Sequence, residues 1–221
     1  MKTYYPHYYN TYKNVKYPIM KIDILRYCIL QQFCGMYADI DYNCFANFYK
    51  YILNSNKEIH LNEQPNQTYN NLFGKSVSNS LIISTKKFHP FWNVLIKECF
   101  NRIHSYPKFY HIFYVVKTTG PGLINDMLHT IKKTNNRLFK TINLLPFNQF
   151  NFCNDCNKCY PSKTKKLYAV HDYVSYWNSD FWLNFRKMFS CYSFKDIIPI
   201  LLILLILLFF YIINLRSQLI Y

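Results

Sequence analysis

Ile197 to Ile213 reads IIPILLILLILLFFYII, seventeen residues without a charge, and no other stretch constrains the folding of this chain as strongly. As a helix it would be about 26 Å long at about 1.5 Å per residue, close to the thickness of a thin hydrocarbon layer. A helix that is apolar on every side needs lipid or a large core around it, and only a short tail follows. The run therefore predicts a single-pass C-terminal membrane anchor over 193–221 behind a domain over 1–192. The N-terminal stretch MKTYYPHYYNTYKNVKYP holds no apolar run of signal-peptide length. Arg186, Lys187 and Lys195 precede the span and Arg216 follows it, an excess that predicts a cytosolic domain. There the eight cysteines would stay reduced and the sequon at Asn66 unmodified.

The rest of the 221-residue chain is half hydrophobic and suits one domain with a sizeable core. Its 26 Lys and Arg outnumber 11 Asp and Glu, but they are scattered and form no block. Such a distribution reads as solvated lysine rather than as a nucleic-acid surface.

Helical and extended patterns alternate along the domain. Ile22, Leu25, Ile29, Leu30 and Phe33 recur at helical spacing, and Cys34-Gly35 offers a helix end. A strand over Met36 to Asp39 follows. Asn79 to Ser84 reads as a second strand, His89 to Ile103 as a helix opening at Pro90, and the stretch after TTGPG as another helix. Thr141 to Pro146 reads as a further strand, and Asn54 to Asn71 as a polar irregular insertion. The class is α/β with an open mixed sheet.

In so acid-poor a chain, Asp39 and Asp41 stand out, one residue apart at the carboxyl end of a strand, where open α/β sheets collect ligands. Period-two alternation would turn both carboxylates to one side, with Ile40 pointing away. Paired hard oxygens suit Mg²⁺ or Mn²⁺ holding a diphosphate. Asp23 and Arg26, three apart on the preceding helix, share a face and can reach the same pocket.

The segment KIDILRYCILQQFCGMYADID resembles the DXD-motif sugar transferases, in which an Asp-x-x-Arg helix leads through a glycine pair into a Tyr-x-Asp-x-Asp strand end. That family includes Golgi α-1,6-mannosyltransferases and inositol-phosphorylceramide mannosyltransferases, with the clostridial glucosylating toxins as distant relatives. Further blocks follow in family order: NSLIISTKKFHPF from Asn79, TTGP from Thr118 and HDYVSYW from His171. The resemblance implies a GT-A-type nucleotide-sugar-binding sandwich and transfer of a hexose, with retention, from a nucleotide-sugar donor to a lipid, glycan or protein acceptor at a membrane. It implies that Asp41 ligates Mn²⁺ with the diphosphate, and that Asp39 contacts the ribose and the metal's water shell. Asp23 and Arg26 would hold sugar hydroxyls. His171, Ser175 and Trp177 would belong to a loop closing over the diphosphate, with the Trp177 indole N–H on the leaving oxygen. The resemblance also implies first strands that bind the nucleotide base. Only a short stretch precedes Asp23 here, so the sheet is expected to lack them and to expose an edge.

Cys153, Cys156 and Cys159 have zinc-like spacing but supply three thiolates; structural Zn²⁺ would need Cys191 or His171 as its fourth ligand. Two other readings remain open at this point: a non-catalytic remnant of such a transferase, and a basic membrane adaptor for nucleic acid or anionic lipid.

Overall fold

The computed structural model describes residues 1–64, 76–108, 111–151 and 166–172, together with 199, 202–203 and 205–208. The chain divides into two units, Met1–Asn178 and Ser179–Tyr221. In the second, the described residues are helical, and Leu202, Ile203 and the four from Leu205 to Leu208 are all exposed. No helix among the described residues is long and apolar enough to cross a membrane, and most of 197–213 lies outside them. Asn66, Cys153, Cys156, Cys159, Ser175, Trp177 and Cys191 also lie outside the described residues.

The first unit is a mixed α/β fold. Helices α1 (Pro6–Lys13) and α2 (Pro18–Phe33) lead into strand β1 (Gly35–Ala38), strand β2 (Tyr42–Cys44), helix α3 (Tyr49–Leu53) and strand β3 (Ile59–Glu63). Strand β4 (Val77–Ser84) is followed by helices α4 (Pro90–Ser105), α5 (His111–Thr118), α6 (Pro121–Thr134) and α7 (Asn136–Phe139). Strand β5 (Ile142–Leu145), helix α8 (Phe147–Phe150) and strand β6 (Ala169–His171) complete the described elements. Helices α1, α2, α4 and α6 each open with proline in the first turn, where the missing N–H has no intrahelical partner to lose.

Four strands form one sheet in the order β1-β4-β3-β5, antiparallel except for the parallel β3–β5 pair. One face presents Tyr37, Ile82, Ile59, Leu61 and Leu144 to a core built with α2, α4 and α6. The other presents Leu81, Ile83 and Leu145 to Ile52 of α3 and Phe150 of α8. The second sheet is the antiparallel pair of β2 and β6.

Two expectations from the pattern fail in detail. Helix α2 forms, but Ile22, Ile29 and Phe33 of its apolar stripe are exposed, while the buried face carries Asp23 and Arg26 beside Tyr27 and Leu30. A buried polar pair displaced the face that hydrophobicity alone selects. The irregular insertion expected from Asn54 to Asn71 contains β3, a central strand with Ile59, His60, Leu61 and Asn62 all buried. Its alternating His60 and Asn62 disguise it, because their partners are tertiary: His60 Nδ1 meets Asn143 Nδ2 at 3.2 Å, and Asn62 Nδ2 donates to the Tyr42 hydroxyl.

Candidate functional site

The end of β1 is a tight turn. Asp39 N–H donates to Ser80 O at 2.8 Å, closing the β1–β4 ladder, and Tyr42 N–H donates back to Asp39 O at 3.2 Å. Ile40 stands at the tip, 99% exposed. Asp39 and Asp41 are thus brought together by a turn between two strands, and not by alternation along one strand as the pattern suggested.

Strand β6 supplies a third group. Its pairing with β2 sets His171 opposite Tyr42, whose ring stacks on the imidazole at 4.8 Å. His171 Nε2 lies 3.0 Å from Asp41 Oδ1. Asp172 N–H donates to Asp41 O at 3.0 Å, and Asn43 Nδ2 donates to Asp172 Oδ2 at 2.7 Å, which fixes the end of β6. Donor atoms of Asp39, Asp41 and His171 all lie within 4.8 Å of one another. Ligand bonds of about 2.1 Å at right angles put neighbouring donors about 3 Å apart, and opposite donors about 4.2 Å apart. The Asp41–His171 spacing meets the first figure directly, and a side-chain shift of about half an ångström brings the trio within the second. Two carboxylates and an imidazole suit Mn²⁺ or Mg²⁺ better than a soft metal.

Behind this turn lies a buried polar network. Arg26 NH2 is 3.1 Å from Asp23 Oδ1, its NH1 is 3.3 Å from Asp39 Oδ1, and its guanidinium covers the Tyr37 ring at 4.3 Å. Tyr37 donates its hydroxyl to Asp39 Oδ1 at 2.7 Å. Asp23 accepts from Asn79 Nδ2 at 2.8 Å on Oδ1 and from the Thr119 hydroxyl at 2.9 Å on Oδ2. Burial pushes the Asp23 carboxyl up to about 7, against the opposing pull of Arg26 and the Thr119 bond. Burial works against the Arg26 charge, but Asp23 and Asp39 outweigh it and raise its pKa. Asp23 and Asp39 face one guanidinium here and Asp41 lies beside Asp39, so acidic groups gather at one place in a chain of net charge +15.

The sequence blocks converge in space. Asn79 opens the NSLIIS block and Thr119 lies in TTGP, and both bind Asp23. A register shift between β3 and β4, at Leu61/Asn62, explains how Asn79 comes to face α2. Val77 and Ile82 join the same core although strict alternation would put them on opposite faces, so the intervening residues must switch parity. The roles of Tyr37, Asn79 and Thr119 are not legible in any single motif; the order of the blocks is the signal that points to them. Asp23 is expected from the resemblance to hold sugar hydroxyls. It is 3% exposed, and both of its oxygens are engaged, by Arg26 and Asn79 on Oδ1 and by Thr119 on Oδ2.

Residues 1–63 match the family described as glycosyltransferase sugar-binding region containing DXD motif. The N-terminal segment is similar to that region. It holds Asp23, Arg26, Asp39 and Asp41; Asn79, Thr119 and His171 reach it from outside. A stretch of 44 residues is 43% identical to mannosyl phosphorylinositol ceramide synthase SUR1 of Saccharomyces cerevisiae, covering 20% of this chain and 12% of that enzyme. The PaToxG glycosyltransferase structure superposes on 63% of this chain and 48% of its own length, with 19% identity and a TM-score of 0.44.

Proposed function

We propose that the chain is a metal-dependent, retaining glycosyltransferase of GT-A type that moves a hexose from a nucleotide-sugar donor to a lipid, glycan or protein acceptor. The observation that carries this reading is the meeting of Asp39, Asp41 and His171 at a turn inside the DXD region, with Arg26 behind them. Asp41, Asp39 and His171 would hold Mn²⁺ or Mg²⁺, which as a Lewis acid supplies charge neutralisation for the diphosphate leaving group. Arg26 keeps a buried donor, Nε, without a partner, and a sugar hydroxyl or phosphate oxygen is the acceptor class that completes it. Tyr37 and Asp23 hold that guanidinium in place by ring contact and ion pair. In front-face transfer the acceptor's proton goes to the leaving phosphate oxygen, so no second carboxylate is needed as base. Ser175 and Trp177 would close over the diphosphate, with the Trp177 N–H on the leaving oxygen. The run 197–213 would anchor the domain on a membrane, supported by its uncharged sequence and by the exposed apolar side chains of its described residues. With that orientation, protease outside sealed microsomes should digest the domain and Asn66 should carry no glycan; a protected domain with a glycan on Asn66 would reverse it.

Hydrolysis or transfer from a panel of nucleotide-sugars, with Mn²⁺ and with chelator, tests the proposal. Asp41→Asn removes an anionic ligand with little change in volume and should abolish metal-dependent turnover while the fold persists. Unchanged turnover in that variant would remove the assignment.

A further inference from the structure

A cavity of about 490 Å³ opens on the sheet face opposite Tyr37, between the start of β1, the end of β4 and α3. Its walls are Met36, Phe48, Ile52 and Ile83, and Tyr49 and Leu53 join them. None of its lining residues is charged. Three of the polar side chains are engaged by the protein itself. Ser84 donates to Lys86 O at 2.9 Å and accepts from the Trp92 indole at 3.0 Å. Thr85 donates to Glu58 O at 3.2 Å, and the Asn47 carbonyl oxygen accepts from Tyr49 N–H at 2.8 Å. A sugar, a nucleotide or a polar peptide would lose its hydration there and gain few side-chain hydrogen bonds in return. A hydrocarbon chain loses nothing of that kind, and the volume lies in the range of ligand-binding pockets.

The mouth has the same character. Met36, Tyr49 and Leu53 line the cavity and are also 57%, 66% and 51% exposed, so the opening itself is apolar. The cavity is tied to the DXD turn by one strand: β1 starts at its wall with Gly35 and Met36, and Asp39 follows three residues after Met36. At about 3.3 Å per residue that is about 10 Å, a distance an amphiphile's polar head can span while its tail is held.

We infer that this cavity binds an aliphatic chain of a lipid acceptor whose head group is presented to the site at Asp39 and Asp41. The inference rests on the transferase reading for the word acceptor; the chain-binding site itself does not.

The probe is cis-parinaric acid, titrated into the full-length protein in detergent below its micelle concentration, with palmitate as competitor. Wild-type protein should show saturable fluorescence that palmitate displaces and free hexose does not. Leu53→Lys puts a charge at the mouth and Leu53→Trp fills it. Both are changes at a half-exposed helix position that should leave the circular dichroism intact, and both should weaken binding at least tenfold. Asp41→Asn should bind the probe as wild type does. Absence of saturable binding, or equal affinity in both Leu53 variants, overturns the inference. Metal-dependent donor hydrolysis measured beside these titrations separates the two claims. Hydrolysis without probe binding overturns the chain site alone, and probe binding without hydrolysis overturns the transferase reading and with it the acceptor role.

Discussion

Cys34 closes helix α2 with φ 53 and ψ −163, and Gly35 follows at φ 99. The first pair of angles lies beside a region populated almost only by glycine, where a Cβ costs on the order of 1–3 kcal/mol. Replacing Cys34 by glycine removes that cost. It also loosens the unfolded chain, which takes back about 0.5–1 kcal/mol. The half-buried thiol gives up little else, so Cys34→Gly should stabilise the domain by about 1 kcal/mol. For a chain of this size that corresponds to a rise in melting temperature of about 2–4 °C. Cys34→Ala is the control: it deletes the thiol but keeps the Cβ, and should stay within about 0.5 kcal/mol of wild type. Urea unfolding followed by far-ultraviolet circular dichroism compares all three proteins. If Cys34→Gly is no more stable than Cys34→Ala, the backbone strain assigned to this turn is wrong.

Thr119→Val keeps the shape of a fully buried side chain but removes the donor to Asp23 Oδ2, and should destabilise by about 1.5–3 kcal/mol in the same urea assay. His89 caps α4, accepting from Phe91 N–H on Nδ1 and meeting Glu58 Oε2 from Nε2 at 2.9 Å; burial lowers its pKa despite Glu58. Its stabilisation is therefore present above the unfolded value of about 6.5 and declines as pH falls toward the depressed folded value. His89→Asn, which keeps a cap acceptor, should lose less stability than wild type between pH 7 and pH 5; parallel curves would count against the assignment. Asp23 carries the opposite sign. Its carboxyl is raised by burial, so its contribution is full below about 3.9 and fades as pH rises through about 7. Asp23→Asn should flatten that part of the stability curve, and a curve unchanged between pH 4 and pH 7.5 would refute it.

Much of the fold could be read along the chain. The strand expected at Met36 to Asp39 is Gly35–Ala38, the one at Asn79 to Ser84 is Val77–Ser84, and the helix opening at Pro90 runs to Ser105. Those elements carry local signals: proline at a helix start, β-branched runs and a glycine after a helix. Strand β3 escaped because His60 and Asn62 are bound by residues distant in sequence, which no local pattern reports. The buried face of α2 escaped for a related reason. Asp23 and Arg26 are buried because Asn79, Thr119 and Asp39 arrive from elsewhere to bind them. Asp39 and Asp41 stood out by composition, but the turn that joins them and the approach of His171 depend on the β2–β6 pairing, which is 130 positions long-range at its His171–Asp41 contact. Ser175, Trp177 and the three cysteines fall outside the described residues, so their expected roles stand as proposals.

Asp39, Asp41 and His171 are proposed to form one divalent-cation site. Electron paramagnetic resonance of free Mn²⁺ during titration of the protein tests it without any knowledge of the sugar or the acceptor. The expected result is saturable loss of the free-ion signal in wild type, no saturable loss in Asp41→Asn, and affinity at least tenfold weaker in His171→Ala. Saturable binding of equal affinity in all three proteins, or none in wild type, would contradict it.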